Sequence, residues 1–513
     1  MCCGVRWKMP GPSAREPLLL PDGLILTLRR ILSVSGKEDT DMRYDQDITV
    51  IGGGAAGLVA ATGAAALGAR TLMIEKEKLG GDCTWYGCVP SKALLKSSQV
   101  FHCVRNMAKA GIYEENSSRY DTSGVMEHVR GMIEKISQKH PPEVFEEKGI
   151  EVLFGSPRFV DNRTVEVEGR RIRSKRFILC TGSHPIIPPV EGLEEAGPLT
   201  SDNVWDLERL PESMVIMGGG PIGVELSQAF ARLGTEVTLI EAAERLLLKE
   251  EEEMSDFIAG VLKEDGVDLR LSADITRVEK RNGGIEIALK NGDKITAEKI
   301  LVAAGRAPSL KGLELENAGV EYTEKGVVTD KVLRTTARNV YACGDMIGSY
   351  QFSHTAEYQA ITAVGNAVIP FKRSVEGAVV PWCTFTDPEI ARAGMTETEA
   401  RESRGDIRVY RTKYKDNDRA VTDMGEKGLV KLICDKKGYI LGAHIAGANA
   451  GEIIHECVLA MSAGLKTDRI SSAIHIYPTL SQLVKRTADQ PLMKVLDSKM
   501  FKTVMKFMIR IMR

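Results

Sequence analysis

Ile48-Thr49-Val50-Ile51 is a short apolar, β-branched run that reads as a buried parallel strand. The pattern then changes to Gly52-Gly53-Gly54-Ala55-Ala56-Gly57 and an Ala-rich stretch reaching Leu67, which predicts a tight turn and a helix. Strand pattern returns at Thr71-Leu72-Met73-Ile74 and ends at Glu75, eighteen residues beyond Gly57. These segments form a complete βαβ unit. Its glycines allow a tight turn and close backbone approach, its helix N-terminus suits a pyrophosphate, and its acid is placed to accept from a ribose.

The unit occurs twice. Met214-Val215-Ile216-Met217 precedes Gly218-Gly219-Gly220-Pro221-Ile222-Gly223, and Val237-Thr238-Leu239-Ile240 ends at Glu241, again eighteen residues on. Two dinucleotide sites in one chain imply two different nucleotides, with electrons passing between them. A carboxylate at Glu241 favours a free ribose 2′-hydroxyl and repels a 2′-phosphate, so NADH is expected over NADPH, with Arg245 nearby as the opposing signal.

Two similar strand-turn segments follow these units, Phe177-Ile178-Leu179-Cys180-Thr181-Gly182-Ser183 and Ile300-Leu301-Val302-Ala303-Ala304-Gly305-Arg306. Val340-Tyr341-Ala342-Cys343-Gly344-Asp345 then presents an acid at a strand end, well placed for a polyol chain. From Val379 onward strand-like segments such as Val430–Cys434 and Ile440–His444 alternate with helical ones, marking a third region that ends near Gln490.

Between the nucleotide loops lies Gly80-Gly81-Asp82-Cys83-Thr84-Trp85-Tyr86-Gly87-Cys88-Val89-Pro90-Ser91-Lys92. Cys83 and Cys88 are close enough to close a small ring and cycle between dithiol and disulfide. A helix is predicted to start just after Cys88, with Pro90 in its first turn. That places Cys88 at the positive end of a helix dipole, with Lys92 one turn on, an environment that favours thiolate. A zinc site would need two more ligands at matching spacing, and no second close Cys/His pair of that kind appears, so no metal is expected.

Length and composition bound the reading. A chain of 513 residues exceeds a single core, and 43% hydrophobic with 27% charged residues is the make-up of a globular protein. The net charge of −2 gives no pointer to nucleic acid. Apart from the 83/88 pair and Cys2-Cys3, the ten cysteines have no framework spacing. That usage fits a reducing compartment, the cytoplasm or an organellar matrix of mitochondrion or plastid, and not secretion.

Residues 1–44 are basic and interrupted, too broken to span a bilayer, and read either as an organelle transit peptide or as an extension of no great consequence. Cys2-Cys3 invites palmitoylation, without the Met-Gly start of a myristoylation signal. At the other end, residues 493–513 carry Lys494, Lys499, Lys502, Lys506, Arg510 and Arg513 along one helical stripe. Such a basic amphipathic helix either lies on an anionic membrane surface or packs on its own dimer.

In motif content and order, residues 45–490 resemble the pyridine nucleotide–disulfide oxidoreductases. The resemblance implies an α/β fold with two Rossmann-like dinucleotide-binding domains, for FAD and NAD(P), plus an α+β C-terminal dimerisation domain that builds a homodimer. The expected division is an extension 1–44, FAD domain 45–195 and 306–376, NAD(P) domain 196–305, dimerisation domain 377–490 and tail 491–513. FAD would be held by Gly52, Gly54, Ala56, Gly57, Glu75, Lys76, Gly81, Asp82, Thr181, Gly182, Ser183, Gly344 and Asp345, the last on the ribityl chain. NADH or NADPH would meet Gly218, Gly220, Gly223, Glu241 and Gly305. The resemblance also implies that Cys88 faces the flavin, that Cys83 exchanges with substrate, and that Lys92 lies beside the flavin ring, paired with Glu225.

Disulfide reductases of this family carry His-Pro-Thr in the C-terminal domain, with an acid five positions after the histidine. The partner subunit thereby supplies a general base. Here the run is His475-Ile476-Tyr477-Pro478-Thr479-Leu480-Ser481-Gln482, so Tyr477 replaces the histidine and Gln482 the acid. A phenol with a pKa near ~10 is a poor base at neutral pH. His475 is either a substitute base or a packing residue. The tyrosine variant resembles mercuric reductases, in which a tyrosine assists a metal-bound substrate. Mercuric reductases also use a cysteine pair at the extreme C-terminus, and this chain ends Ile509-Arg510-Ile511-Met512-Arg513. The expected function is an FAD-dependent oxidoreductase of mercuric-reductase type, passing electrons from NAD(P)H to a small-molecule or metal-thiolate acceptor. The alternatives are a glutathione- or dihydrolipoamide-type reductase and quinone or diaphorase activity.

Overall fold

The computed structural model describes residues 44–113, 120–281 and 283–512. The expectations for the N-terminal extension and for Cys2-Cys3 fall outside them, and so does Arg513.

Gln46–Ile51 and Thr71–Glu75 are the parallel strands read from sequence, joined by the helix Ala55–Ala66. Every residue of Thr71–Glu75 is buried, which explains the absence of polar alternation. Around them, among the described residues, runs a seven-stranded sheet. Ile150–Phe154, Thr71–Glu75, Gln46–Ile51, Arg170–Leu179 and Val340–Ala342 are parallel, and Thr164–Val167 and Arg158–Asp161 extend it antiparallel. Val340–Ala342 joins this sheet after the chain has built a separate one in between. That second sheet is parallel and ordered Asp268–Leu271, Glu236–Glu241, Ser213–Met217, Lys299–Val302.

The helix Ala55–Ala66 packs on Ser353–Val368 through small residues, Ala56, Ala60, Ala61 and Ala64 meeting Ala356, Ala360 and Ala363 in one core. Alanine faces let two helices approach closely, and this contact fixes the segment before Ser353 near the first glycine turn.

The C-terminal region is a five-stranded antiparallel sheet, Pro381–Thr384, Glu389–Gly394, Ile440–Gly447, Leu429–Asp435 and Ile407–Lys413, with helices against it. The boundary expected at 490/491 falls inside a helix, because Gln482–Asp497 runs straight through Pro491. The tail also departs from the single stripe expected from 493 onward. Ser498 has an extended backbone (ψ 140°) and its hydroxyl accepts from Phe501 N at 3.2 Å, so it starts a new helix, Lys499–Ile511. Lys494 belongs to the earlier helix, with its ammonium 5.0 Å from the centre of the Tyr410 ring. No residue of Lys499–Ile511 is buried. Among the described residues no helix is long and apolar enough to cross a membrane.

Candidate active site

The two glycine turns repeat each other atom for atom in their essentials. Gly52 (φ 106°) and Gly218 (φ 112°) take left-handed backbone, and a side chain on either would overlap a carbonyl, that of Cys180 or Ala303. A Cβ on Gly57 or Gly223 would land on the carbonyl of Gly52 or Gly218. In each turn the strand-end acid is tied back to the loop. Glu75 Oε2 accepts from Gly53 N at 2.6 Å and Glu241 Oε2 from Gly219 N at 2.6 Å. Their other oxygens accept from Glu77 N at 2.8 Å and Ala243 N at 2.7 Å. Each carboxylate oxygen keeps a further lone pair for a hydroxyl. The helices beginning at Ala55 and Pro221 have glycine N-caps without a side-chain cap, so their first N–H groups are left for an anion.

The cysteine segment folds as two helices. Cys83 lies in the short helix Gly81–Trp85, which sequence reading did not foresee, and Cys88 opens the helix Cys88–Arg105. Gly81 (φ 56°) lets this segment touch the first turn, since a Cβ there would come within 2.6 Å of Gly54 Cα. Trp205 Nε1 donates to Tyr86 O at 2.7 Å and holds the link between the helices. Both cysteines are free thiols that hydrogen-bond each other. The bond from Cys83 lowers the Cys88 thiol to about 6, helped by Ser353 Oγ at 3.6 Å and the charge of Lys92, against the effect of burial. The same bond, with burial, pushes Cys83 up. Cys88 is therefore the thiolate of the pair at neutral pH.

Lys92 Nζ reaches Glu225 Oε2 at 2.8 Å and Ser91 Oγ at 3.2 Å, and lies 4.5 Å from the centre of the Phe385 ring. Glu225 Oε1 accepts from Phe385 N at 2.8 Å. The fold thus brings Lys92 and Glu225 together.

Asp345 stands at the end of Val340–Ala342, where burial raises its carboxyl, opposed by the Ser183 hydroxyl donating at 2.7 Å. Arg306, which the sequence reading left out of the site, organises this wall. Its guanidinium donates to Ser183 Oγ at 2.8 Å, Ser201 Oγ at 3.1 Å and Asp82 Oδ1 at 2.9 Å. Thr181 Oγ1 donates to Ser309 O at 2.7 Å, and Gly344 N to Gln359 Oε1 at 2.8 Å. Gly182 and Gly305 turn with φ 70° and 119°. Lys76 forms an exposed ion pair with Glu77 at 3.2 Å. One cavity of about 2030 Å³ is lined by both turns, the cysteines, Lys92, Glu225 and Asp345. Ser353 and Phe385 also line it. Neither was foreseen, because no periodicity or motif spacing in the sequence marks them.

Tyr477 and His475 are elsewhere. Tyr477 is 64% exposed and donates to Asp418 Oδ2 at 2.9 Å, a bond that raises its phenol further. His475 Nε2 lies 2.9 Å from Glu456 Oε1. Neither lines the cavity, so a single chain does not bring them to the cysteines. They belong to an exposed segment of the C-terminal region, with Ile474 and Ile476 pointing outward.

Residues 46–360 match the pyridine nucleotide-disulphide oxidoreductase family, and residues 380–488 its dimerisation domain. A mercuric reductase of Bacillus cereus is 34% identical over 88% of this chain and 74% of its own length. A dihydrolipoyl dehydrogenase of Bacillus subtilis (strain 168) is also 34% identical, over 85% of this chain and 96% of its own. Among solved structures, the HOCl-induced flavoprotein disulfide reductase RclA from Escherichia coli superposes with a TM-score of 0.79 at 29% identity, covering 86% of this chain and 99% of that one. Doubled nucleotide turns, a dithiol between them and a matched dimerisation domain thus converge on one conclusion: this chain belongs to the pyridine nucleotide-disulphide oxidoreductases, as an FAD-dependent, NAD(P)H-dependent disulfide oxidoreductase whose dimerisation domain supports a homodimer.

Proposed function

We propose that the enzyme takes electrons from NADH and delivers them through Cys88 and Cys83 to a small thiophilic acceptor, a metal ion carried by thiolates, as in the mercuric-reductase branch. The observation that carries this reading is the unequal thiol pair. Cys88 is held as thiolate by Cys83, Ser353 and Lys92, while Tyr477, tied to Asp418, replaces the expected histidine base. A metal bound by thiolates needs no general acid to protonate a leaving thiolate, whereas reduction of an organic disulfide does, a role that a histidine fills in its protonated form.

The residues present fit FAD. The uncapped N-terminus at Ala55 suits its pyrophosphate, and Glu75 lies in reach of a ribose. Gly52, Gly54, Ala56, Gly57, Gly81, Asp82, Thr181, Gly182, Ser183 and Gly344 would form the cradle, with Asp345 on the ribityl chain and Lys76 at the rim. When bound, FAD supplies two-electron exchange between the nicotinamide and the cysteines. Lys92 would place a positive charge beside the flavin, held in position by Glu225. Gly218, Gly220, Gly223 and Gly305 would receive the pyridine nucleotide, and Glu241 would select NADH by accepting from the ribose 2′-hydroxyl. These roles divide the chain at 45–195 with 306–376 for FAD, 196–305 for NAD(P)H and the region from 377 onward for the dimer.

A second reading, reduction of a low-molecular-weight disulfide, is favoured by the His475–Glu456 pair, a histidine with a carboxylate partner on the exposed segment. Two further assignments belong to the proposal. The scattered spacing of the cysteines points to a reducing compartment, cytoplasmic or organellar, and the helix Lys499–Ile511 to contact with an anionic membrane surface. Steady-state assays with NADH against Hg(II), oxidised glutathione, lipoamide and a quinone separate the readings. The proposal expects Hg(II) to be turned over and both disulfides to lag by roughly 10²–10⁴-fold. Efficient disulfide reduction would replace it with the second reading and make His475 the base.

A further inference from the structure

A second pair of cysteines lies beneath the first glycine turn, and the electron path makes no use of it. Cys180 follows the strand Arg170–Leu179, and Cys343 follows Val340–Ala342. The strands are parallel neighbours with Ala342 opposite Leu179, so the next residue of each comes side by side. Cys343 N donates to Leu179 O at 3.1 Å, and the two Sγ atoms lie 3.5 Å apart. Both residues are buried, at 6% and 0% exposure. Neighbouring strands are spaced about 4.8 Å apart, within the Cα separation of roughly 4.4–6.8 Å that disulfides span. The parallel register and the 3.5 Å between the sulfurs thus put a disulfide within short reach of this pair.

The position gives such a bond a consequence. The Cys180 carbonyl backs Gly52, and a Cβ on Gly57 would lie 3.7 Å from Cys180 Cβ. Cys343 leads directly into Gly344 and Asp345. A link between the two sulfurs, 163 residues apart in sequence, would join the segment that backs the glycine turn to the Asp345 turn, two walls of the cavity.

We propose that Cys180 and Cys343 are a second redox pair, closed to a structural disulfide by peroxide. The thiolate of one cysteine attacks a peroxide oxygen and the O–O bond breaks. One water leaves after protonation, and a sulfenic acid remains. The second thiol attacks that sulfur, so the S–S bond forms, the S–O bond breaks and a second water leaves. Two thiols lose two electrons, and one hydrogen peroxide becomes two waters. Burial and the bond to Cys343 push the Cys180 thiol up, so this pair oxidises after Cys83–Cys88 and faster as pH rises.

The test treats reduced holoenzyme with hydrogen peroxide at pH 7 and pH 9, then quenches with an alkylating agent in denaturant and maps peptides without reduction. The expected result is early loss of the Cys83 and Cys88 thiols. A Cys180–Cys343 linked peptide then accumulates, faster at pH 9. In Cys343→Ala the link is absent and Cys180 is recovered as thiol or as its own oxidation products. Peroxide-treated wild type should also release FAD in urea more slowly than reduced enzyme, by a margin that Cys343→Ala does not share. Sulfoxide at the 78%-exposed Met500 reports a sufficient peroxide dose. Recovery of Cys180 and Cys343 as alkylated thiols at that dose, or of either linked to another cysteine, overturns the proposal, and the wild-type map alone decides it if the variant does not fold.

Discussion

Lys92 and Glu225, 133 residues apart, meet at 2.8 Å, where the helix that opens at Cys88 crosses the helix that opens at Pro221. The carboxylate is almost fully buried, and its second oxygen is fixed by Phe385 N, so the ammonium has one favoured place, one turn beyond Cys88. Lys92→Gln removes a charge that favours the Cys88 thiolate. The midpoint of Cys88 reactivity with iodoacetamide in reduced enzyme should lie below the ordinary thiol value in wild type and rise by up to about one unit in the variant. An unmoved midpoint would leave Cys83 and Ser353 as the only source of the depression.

Glu241 binds Gly219 N and Ala243 N with its two oxygens, so it both shapes the second turn and offers a ribose acceptor. Wild type should prefer NADH in kcat/KM, and Glu241→Ala should narrow the preference by about 1–3 kcal/mol. A native preference for NADPH would contradict the role given to this acid.

Glu250 is buried, takes a 2.5 Å hydrogen bond from Trp382 Nε1 on one oxygen, and has no partner among the described residues on the other. Burial raises its carboxyl to about 6, so the folded chain holds the proton more tightly than the unfolded one. Its contribution to stability is full below the unfolded pKa of ~4.5 and is lost as pH rises through about 6, a cost of about 2 kcal/mol. Glu250→Gln keeps an acceptor for Trp382 and does not ionise. Thermal melts should show little difference from wild type at pH 4 and a more stable variant at pH 8.

The helix Lys499–Ile511 presents Phe507, Met508 and Ile511 to solvent beside Lys499, Lys502, Lys506 and Arg510. Truncation before Lys499 should abolish cosedimentation with anionic vesicles and leave dye reduction by NADH unchanged. Equal sedimentation of both proteins would assign the helix to packing on the dimer.

What the sequence made legible was local. Both nucleotide turns could be read because each glycine answers a steric demand within its own βαβ unit, as Gly57 does against Gly52. The Lys92–Glu225 contact was reachable only through family resemblance, since its partners lie on different units. Arg306 was missed because its three hydroxyl and carboxylate partners come from segments far apart in the sequence. The glutamates following Lys249 carry no periodic signal, yet Glu251 and Glu253 hold Lys431, a lysine only 2% exposed, at 2.9 and 2.6 Å. The division of the tail was missed for a smaller reason: Ser498 caps a helix that the spacing of charges ran straight through.

The central claim is that Cys88 and Cys83 store an electron pair separate from the flavin. Anaerobic titration of the holoenzyme with NADH, followed by absorbance, tests it most directly. Wild type should take up two electrons beyond those the flavin holds and gain a long-wavelength band from the Cys88 thiolate, while Cys88→Ser should lose both the extra electrons and the band. Wild type that stops at the flavin, or a Cys88→Ser variant that keeps the band, would contradict the account.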